Sequence, residues 1–410
     1  MLKRIGLFIA AISPGLFLIG YNIGTGSITT MAAAGAQYGM SLTLPLALSC
    51  IFTYTLIIAF SRYTIVTGKT ALQSFREHFG TGWAVFVLVS LLFSEWVSSA
   101  GVMAVVTQVV QEWSRPLTAS GEGWSTLLLA ILFGVLLYAL FLNGSHRFFE
   151  KVLAVFVGLM GLSFVLTMFM VIPEPMEVIK GLVPRLPQDS DTALLTAGMV
   201  GTTMGAILYV VRSILVQEKG WTLNDLKAEK RDAAISASMM FLLSIAVMAS
   251  AAGTLFPRGL AVNNAIDMVV LLEPLAGKFA VSLFVFGIVA AGLSSLFPII
   301  LLAPWLIADF RSTKRDMRSK SSRWLVLLGV LFGLTVPIFG GRPVFVMILS
   351  QALAAVASPV VLILMGILLN KKEIMGEHVA SKSTNAWLII AILFTAVMAV
   401  SGIVGIIGLF

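Results

Sequence analysis

Charge is what this sequence lacks most. Only 11% of its 410 residues are charged, while 59% are hydrophobic. A soluble domain of this size needs far more polar surface than that. Between Arg4 and Arg62 no Asp, Glu, Lys or Arg occurs at all. Cysteine is almost absent too: Cys50 stands alone inside an apolar run, which excludes an internal disulfide and a cysteine-based metal site. The three histidines, His78, His146 and His378, sit in charged loops and read as solvated residues. There is no catalytic triad, nucleotide-binding loop or metal-hydrolase pattern, so the chain reads as no enzyme and needs no cofactor.

What is present is long apolar blocks. A helix needs about 20 apolar residues to cross a bilayer. A membrane barrel would instead show alternating segments of about 10 residues. The chain therefore reads as an all-α integral membrane protein with eleven transmembrane helices, at roughly 6–36, 43–66, 83–111, 125–143, 148–172, 192–217, 233–256, 278–308, 323–340, 343–369 and 385–409. Lys3-Arg4 precedes a long first span with no small-residue cleavage site, so that span is expected to be retained. The short loops make residues 1–410 one membrane domain.

Orientation follows from the basic residues. Arg115, Lys180, Arg185, Arg258, Lys278 and Arg342 fall on one side, Arg212 falls within a span, and the rest of the 27 Lys and Arg fall on the other side. That side is the cytoplasm, with the N-terminus inside and the C-terminus outside. The net charge of +8 is thus topology and no nucleic-acid surface. Thr222-Leu223-Asn224-Asp225 resembles a capping box opening a short surface helix through Arg231. The stretch Pro173 to Asp191 reads as a surface loop, with an external gate as the alternative. Gly329 and Gly333 form a GxxxG that suits a close helix contact.

Two stretches carry the functional reading. Gly24-Thr25-Gly26-Ser27 weakens the first span in mid-membrane, and Gly201-Thr202-Thr203-Met204-Gly205 does the same in the second half. A broken helix in lipid is tolerated only where its freed backbone groups line a cavity or face protein. Such interrupted spans point to a transporter's substrate site. A half-helix starting near Ser27 would aim its amides and positive dipole end at the cavity. Ser27 and Thr202 are the candidate metal ligands. No carboxylate lies in either break, although a bare divalent cation prefers anionic oxygen. The alternative is that the glycines serve only close packing. Away from the span ends lie two charged residues, Glu95 and Arg212, which are functional candidates by position. They read as a proton or cation relay, or as a pair locking two helices, with Arg212 alone expected to snorkel toward the inner interface.

At these residues the chain resembles the Nramp family of proton-coupled divalent-metal transporters. Ser13-Pro14-Gly15 and Gly35-Ala36-Gln37-Tyr38-Gly39 frame span one, and His146-Arg147-Phe148-Phe149-Glu150 enters span five. Ala290-Ala291-Gly292-Leu293-Ser294-Ser295, then Leu349-Ser350-Gln351, Pro359 and Met375-Gly376-Glu377, are similar to spans eight and ten and the loop beyond. The resemblance implies inverted repeats of five plus five helices (1–172 and 192–369), an added eleventh (385–409), discontinuous helices 1 and 6, and the fold of the amino-acid/polyamine/organocation superfamily. It also implies proton-driven import across the cytoplasmic membrane by a monomer or loose dimer.

The site departs from the family pattern. The family's Asp-Pro-Gly-Asn falls on Gly24, Thr25, Gly26 and Ser27, keeping only the glycine. Its span-six Ala, Met and two His positions fall on Thr202, Gly205, Ile207 and Arg212; its proton-route Asp falls on Glu95 and the Glu partner on Ser98. Three readings follow: a carrier of a divalent cation held by hydroxyls and carbonyls, a carrier of a small organic solute or anion bound at the Gly-Thr-Gly-Ser break, and a non-transporting sensor or subunit.

Overall fold

The computed structural model describes residues 24–143, 147–171, 175–184, 189–313 and 315–408. The first half of span one with Ser13-Pro14-Gly15, His146, Pro173 and Pro187 lie outside the described residues. All regular structure among the described residues is helical. Nine of these helices are long and apolar enough to cross a membrane, and Val155–Met170 adds a shorter apolar one.

Helix α1 covers Thr25–Tyr38. At about 1.5 Å per residue its 14 residues fall well short of a bilayer's hydrocarbon core. It is followed by α2 (Thr43–Thr67), the short α3 (Ala71–Phe79) and α4 (Thr81–Ser114). Gly68, in the left-handed region at φ 70°, closes α2, and Thr70 with Gln73 forms a capping box that opens α3. Then come α5 (Thr126–Asn143) and α6 (Arg147–Met170).

The sixth span is two helices, α7 (Ser190–Met204) and α8 (Ala206–Lys219), separated by Gly205 in an extended conformation. Asp189 caps α7, and the Thr192 amide and hydroxyl hold its carboxyl below the usual range. The interruption is narrower than the sequence suggests: Gly201 to Met204 stay helical, and only Gly205 leaves the helix. The most hydrophobic stretch of α7–α8 is wholly buried, whereas only 22% of that of α5 and 33% of that of the last helix are. The interrupted span therefore runs through the centre and the others face lipid. Helices α9 (Leu226–Thr254), α10 (Ala280–Phe310), α11 (Lys320–Gly333), α12 (Pro343–Asn370) and α13 (Lys382–Ile407) complete the bundle.

Two sequence expectations change here. Thr222 and Asp225 do form a capping box, but they open no separate surface helix: after one 3-10 turn the chain enters α9, which continues through the membrane. Glu229 and Asp232 on its first turns are consequently buried. Arg212 neither snorkels nor pairs with Glu95. It is 0% exposed, its Nε donates to Ser61 Oγ at 2.9 Å, and its Nη1 donates to Asp232. Glu229 Oε1 lies 3.5 Å from Nη2, and Trp221 packs on the guanidinium at 5.3 Å. The group ties α8 to α2 and α9. The GxxxG of α11 does make a close contact: a Cβ on Gly329 would stand 3.4 Å from Ile300 of α10, and its carbonyl accepts from Ser99 Oγ of α4 at 3.1 Å.

Glycine matters most where α7 meets α12. A Cβ on Gly201 would stand 1.8 Å from the Gln351 carbonyl oxygen. Gly201→Ala should therefore lower stability by about 1–3 kcal/mol, whereas Gly158→Ala, with open space around it, should leave the melting temperature unchanged or slightly raised; thermal unfolding in detergent measures both. Arg212→Met should cost about 3–5 kcal/mol by stranding two buried carboxylates. Adding Glu229→Gln and Asp232→Asn should restore most of it, in the same assay.

Candidate functional site

Gly24 is the N-cap of α1, extended at φ −97° and ψ −174°, with no side chain capping the helix. The amides of the first turn have no acceptor within the helix. They open beside a narrow cavity of about 30 Å³, room for about two water-sized groups. Gly24, Gly26 and Ser27 of α1 line it, with Ser98 and Val102 of α4, Thr202 of α7, Ser295 and Ile299 of α10, and Met347 and Gln351 of α12. The lining is neutral: five oxygen-bearing side chains, one thioether and no carboxylate. Among the described residues no cluster of three or more His, Cys, Asp or Glu is placed to hold a metal.

The hydroxyls have a direction. Thr202 Oγ1 donates its proton to the Met199 carbonyl at 2.9 Å, and Ser295 Oγ donates to that of Ala291 at 2.9 Å. A hydroxyl has one proton and two lone pairs. With the proton held by their own helices, both oxygens can offer only lone pairs to the cavity. Gln351 Nε2 is engaged by Ser350 Oγ at 3.2 Å and lies 3.5 Å from Ser98 Oγ. Gly26 brings the backbone against α12, since a Cβ there would meet Met347 Cε at 2.7 Å and Gln351 Nε2 at 2.9 Å.

The second break serves a different purpose. The Ala206 amide, freed by Gly205, donates to Ser358 Oγ of α12 at 3.0 Å. Ser358 Oγ in turn lies 3.1 Å from the Ala354 carbonyl and 3.4 Å from that of Met204. The Thr203 carbonyl accepts from Thr53 Oγ1 of α2 at 2.6 Å, and Thr203 Oγ1 donates to Ser49 Oγ at 2.7 Å. So of the residues singled out in the sequence, Gly24, Gly26, Ser27 and Thr202 meet at the cavity. Gly201, Thr203, Met204 and Gly205 do not: Gly201 packs against α12, Thr203 faces α2, and Met204 is 1% exposed in the core. Thr25 is not among the lining residues either, and its buried hydroxyl has no hydrogen-bond partner.

Glu95 is 4% exposed on α4, one helical turn before Ser98. Arg212 belongs to the buried ion group on α8 and does not line the cavity. Sequence reasoning assigned no ligand role to Ser98, Ser295, Met347 or Gln351. The signal for Ser98, Ser295 and Gln351 was there, in the family-like segments that contain them. A methionine in an apolar helix gives no such signal, because it is most often core.

At the basic end of the bundle Asp309, the last buried acid of α10, collects the neighbouring segments. It accepts from Thr70 Oγ1 at 2.7 Å, Gln73 Nε2 at 3.1 Å and Arg315 Nη2 at 2.8 Å. Arg315 also pairs with Glu218 of α8 at 2.9 Å, and the Ala71 amide donates to Ser213 Oγ at 3.0 Å. These bonds hold α3, α8 and α10 together beneath the cavity.

Comparison with known proteins follows the same lines. Residues 15–405 match the model of the family described as natural resistance-associated macrophage protein-like, Nramp. A divalent metal cation transporter MntH of Klebsiella pneumoniae (strain 342) is 25% identical over 384 residues, covering 91% of this chain and 89% of the relative. One of Erwinia tasmaniensis is 28% identical over 285 residues, covering 68% of this chain and 66% of the relative. Among solved structures, a mutant of the Eremococcus coleocola manganese transporter superposes with a TM-score of 0.71 at 14% identity, over 96% of this chain and 85% of that one. MhsT in complex with L-phenylalanine superposes with a TM-score of 0.67 at 14% identity, over 96% and 98%. The buried interrupted span, the helix start opening on a cavity and the match over nearly the whole length agree: the chain belongs to the Nramp family.

Proposed function

We propose that the chain is a secondary active transporter that carries a divalent metal cation of the Mn, Fe or Mg class into the cytoplasm by alternating access, coupled to protons. The observation that carries this reading is the lone-pair direction of Thr202 and Ser295. Oxygens whose protons are fixed on carbonyls attract a cation and repel an anion. Ser27 and Ser98 add further oxygen, and Met347 adds a soft sulfur that suits a transition metal. Neutral ligands compensate an ion's charge poorly, so the cargo keeps part of its water shell; this suits Mg²⁺ as well as Mn²⁺. The names of the similar relatives support the same class of cargo.

The proposal brings with it eleven membrane helices in inverted repeats, the N-terminus in the cytoplasm, the C-terminus outside, and a monomer or loose dimer. Glu95, buried one turn from the cavity, is the proton-carrying group.

A second reading rests on a separate observation. The uncapped start of α1 presents amides to the cavity, and no acid there repels an anion. A small carboxylate would bind at that end. Proteoliposomes separate the two. With an imposed pH gradient, saturable Mn²⁺ or Mg²⁺ uptake is expected, and Glu95→Gln should abolish its dependence on the gradient in folded protein. Thr202→Val with Ser295→Ala should raise the KM by about tenfold or more, at about 1 kcal/mol per lost oxygen. Failure of folded protein to take up either ion, with uptake of a labelled amino acid or carboxylate, would establish the second reading; no uptake of anything would mean a non-transporting protein.

A further inference from the structure

Away from the cargo cavity, a second and larger one of about 460 Å³ opens at the basic end of the bundle, between α2, the start of α9, and α13. Its charged lining is Arg62 and Lys230, with His378 beside them and no acid among the lining residues. Among the described residues none of these three has a carboxylate partner. Its apolar walls include Ile58 and Leu388, and Trp387, 43% exposed, stands at its mouth.

Tyr54 is shared with a further cavity of about 460 Å³ that continues toward the membrane centre. This one is apolar. Ala47, Cys50 and Ile51 of α2 face Ala234, Ala237 and Phe241 of α9 across it. The spacing of three and four residues puts each set on one stripe of its helix. Small side chains at Ala47, Ala234 and Ala237 leave the crease between the two helices unfilled. Ile51 and Phe241, 47% and 36% exposed, form its outer rims. From Arg62 to Ala47 the groove runs about 22 Å along α2. One leaflet's hydrocarbon is about 15 Å deep, so the groove has the length of a headgroup region plus one acyl chain.

We propose that this groove binds an anionic phospholipid of the basic-side leaflet. Its phosphate lies against Arg62, Lys230 and His378, and one acyl chain lies in the α2–α9 crease. Two cations without a carboxylate partner, with an imidazole beside them, select a negative headgroup at the membrane surface. The continuous apolar crease selects a lipid over a soluble anion. The lipid would bridge α2 of the first half of the chain, α9 of the second, and the added last helix. The groove shares no lining residue with the cavity at α1 and is independent of what binds there.

The test uses the full chain in neutral detergent, with native mass spectrometry for lipid retention and thermal unfolding for stabilisation. The probes are phosphatidylglycerol, phosphatidylcholine and glycerol 3-phosphate. Phosphatidylglycerol should bind and raise the melting temperature, and the other two should not. Arg62→Gln with Lys230→Gln should weaken that binding by about fivefold per charge. Lys320→Gln with Arg323→Gln, exposed on the same face but outside the groove, should leave it unchanged. Ala234→Phe, which fills the crease and keeps every charge, should weaken it too. Equal binding of phosphatidylcholine would overturn the proposal. So would equal losses in both charge pairs, which mean a diffuse basic surface, or glycerol 3-phosphate binding as tightly as the lipid, which means a soluble-anion site.

Discussion

A peptide group freed at Gly205, deep in a membrane domain, has no water to bond to. Hydrocarbon makes each unsatisfied amide or carbonyl cost several kcal/mol, so the interruption can exist only where protein surrounds it. Ser358 takes the Ala206 amide, and Thr53 takes the Thr203 carbonyl. From that requirement the rest follows. The α7–α8 stretch must be central and fully buried. Helices α2 and α12 must bring hydroxyls to it, and α12 must come close enough that Gly201 has no room for a side chain. The same approach of α12 carries Met347 and Gln351 to the start of α1, where the cavity forms.

Charge is sorted by depth in the same structure. The cavity is neutral, and the ionised groups sit to its side or beneath it. Arg212 gathers Asp232 and Glu229, and Asp309 gathers Arg315, Thr70 and Gln73. Both groups lie where α8 meets the basic end, so this half of the interrupted span is tied to its neighbours by charge. The cavity itself is ringed by hydroxyls, two of which have their protons turned away. A neutral ring binds an ion more weakly than a carboxylate does. That suits a cargo moved with part of its water shell.

Hydropathy alone placed most spans to within a few residues, because a long apolar run has few other uses in a chain so poor in charge. The interruption between α7 and α8 was legible from glycines next to hydroxyls. Its details were not. Glycine at 201 looks the same in sequence whether it frees the backbone or admits a neighbouring helix, and here it does the second. Thr203 and Met204 follow Thr202 around the helix, so they must face other neighbours. Glu229 and Asp232 sit in a charged, amphipathic run that reads as surface, and only the packing of α8 shows them buried. Met347 and Ile299 reach the cavity through tertiary approach alone, which leaves no local mark.

The central claim is that a divalent cation binds between the start of α1 and the hydroxyls of Thr202 and Ser295. Crystals of the protein grown with Mn²⁺ and measured at the manganese absorption edge test it directly. The account predicts one anomalous peak within that cavity, with Thr202, Ser295 or ordered water as its nearest oxygens. A manganese peak elsewhere with the cavity empty of metal would contradict it, as would density for an organic carboxylate at the α1 amides.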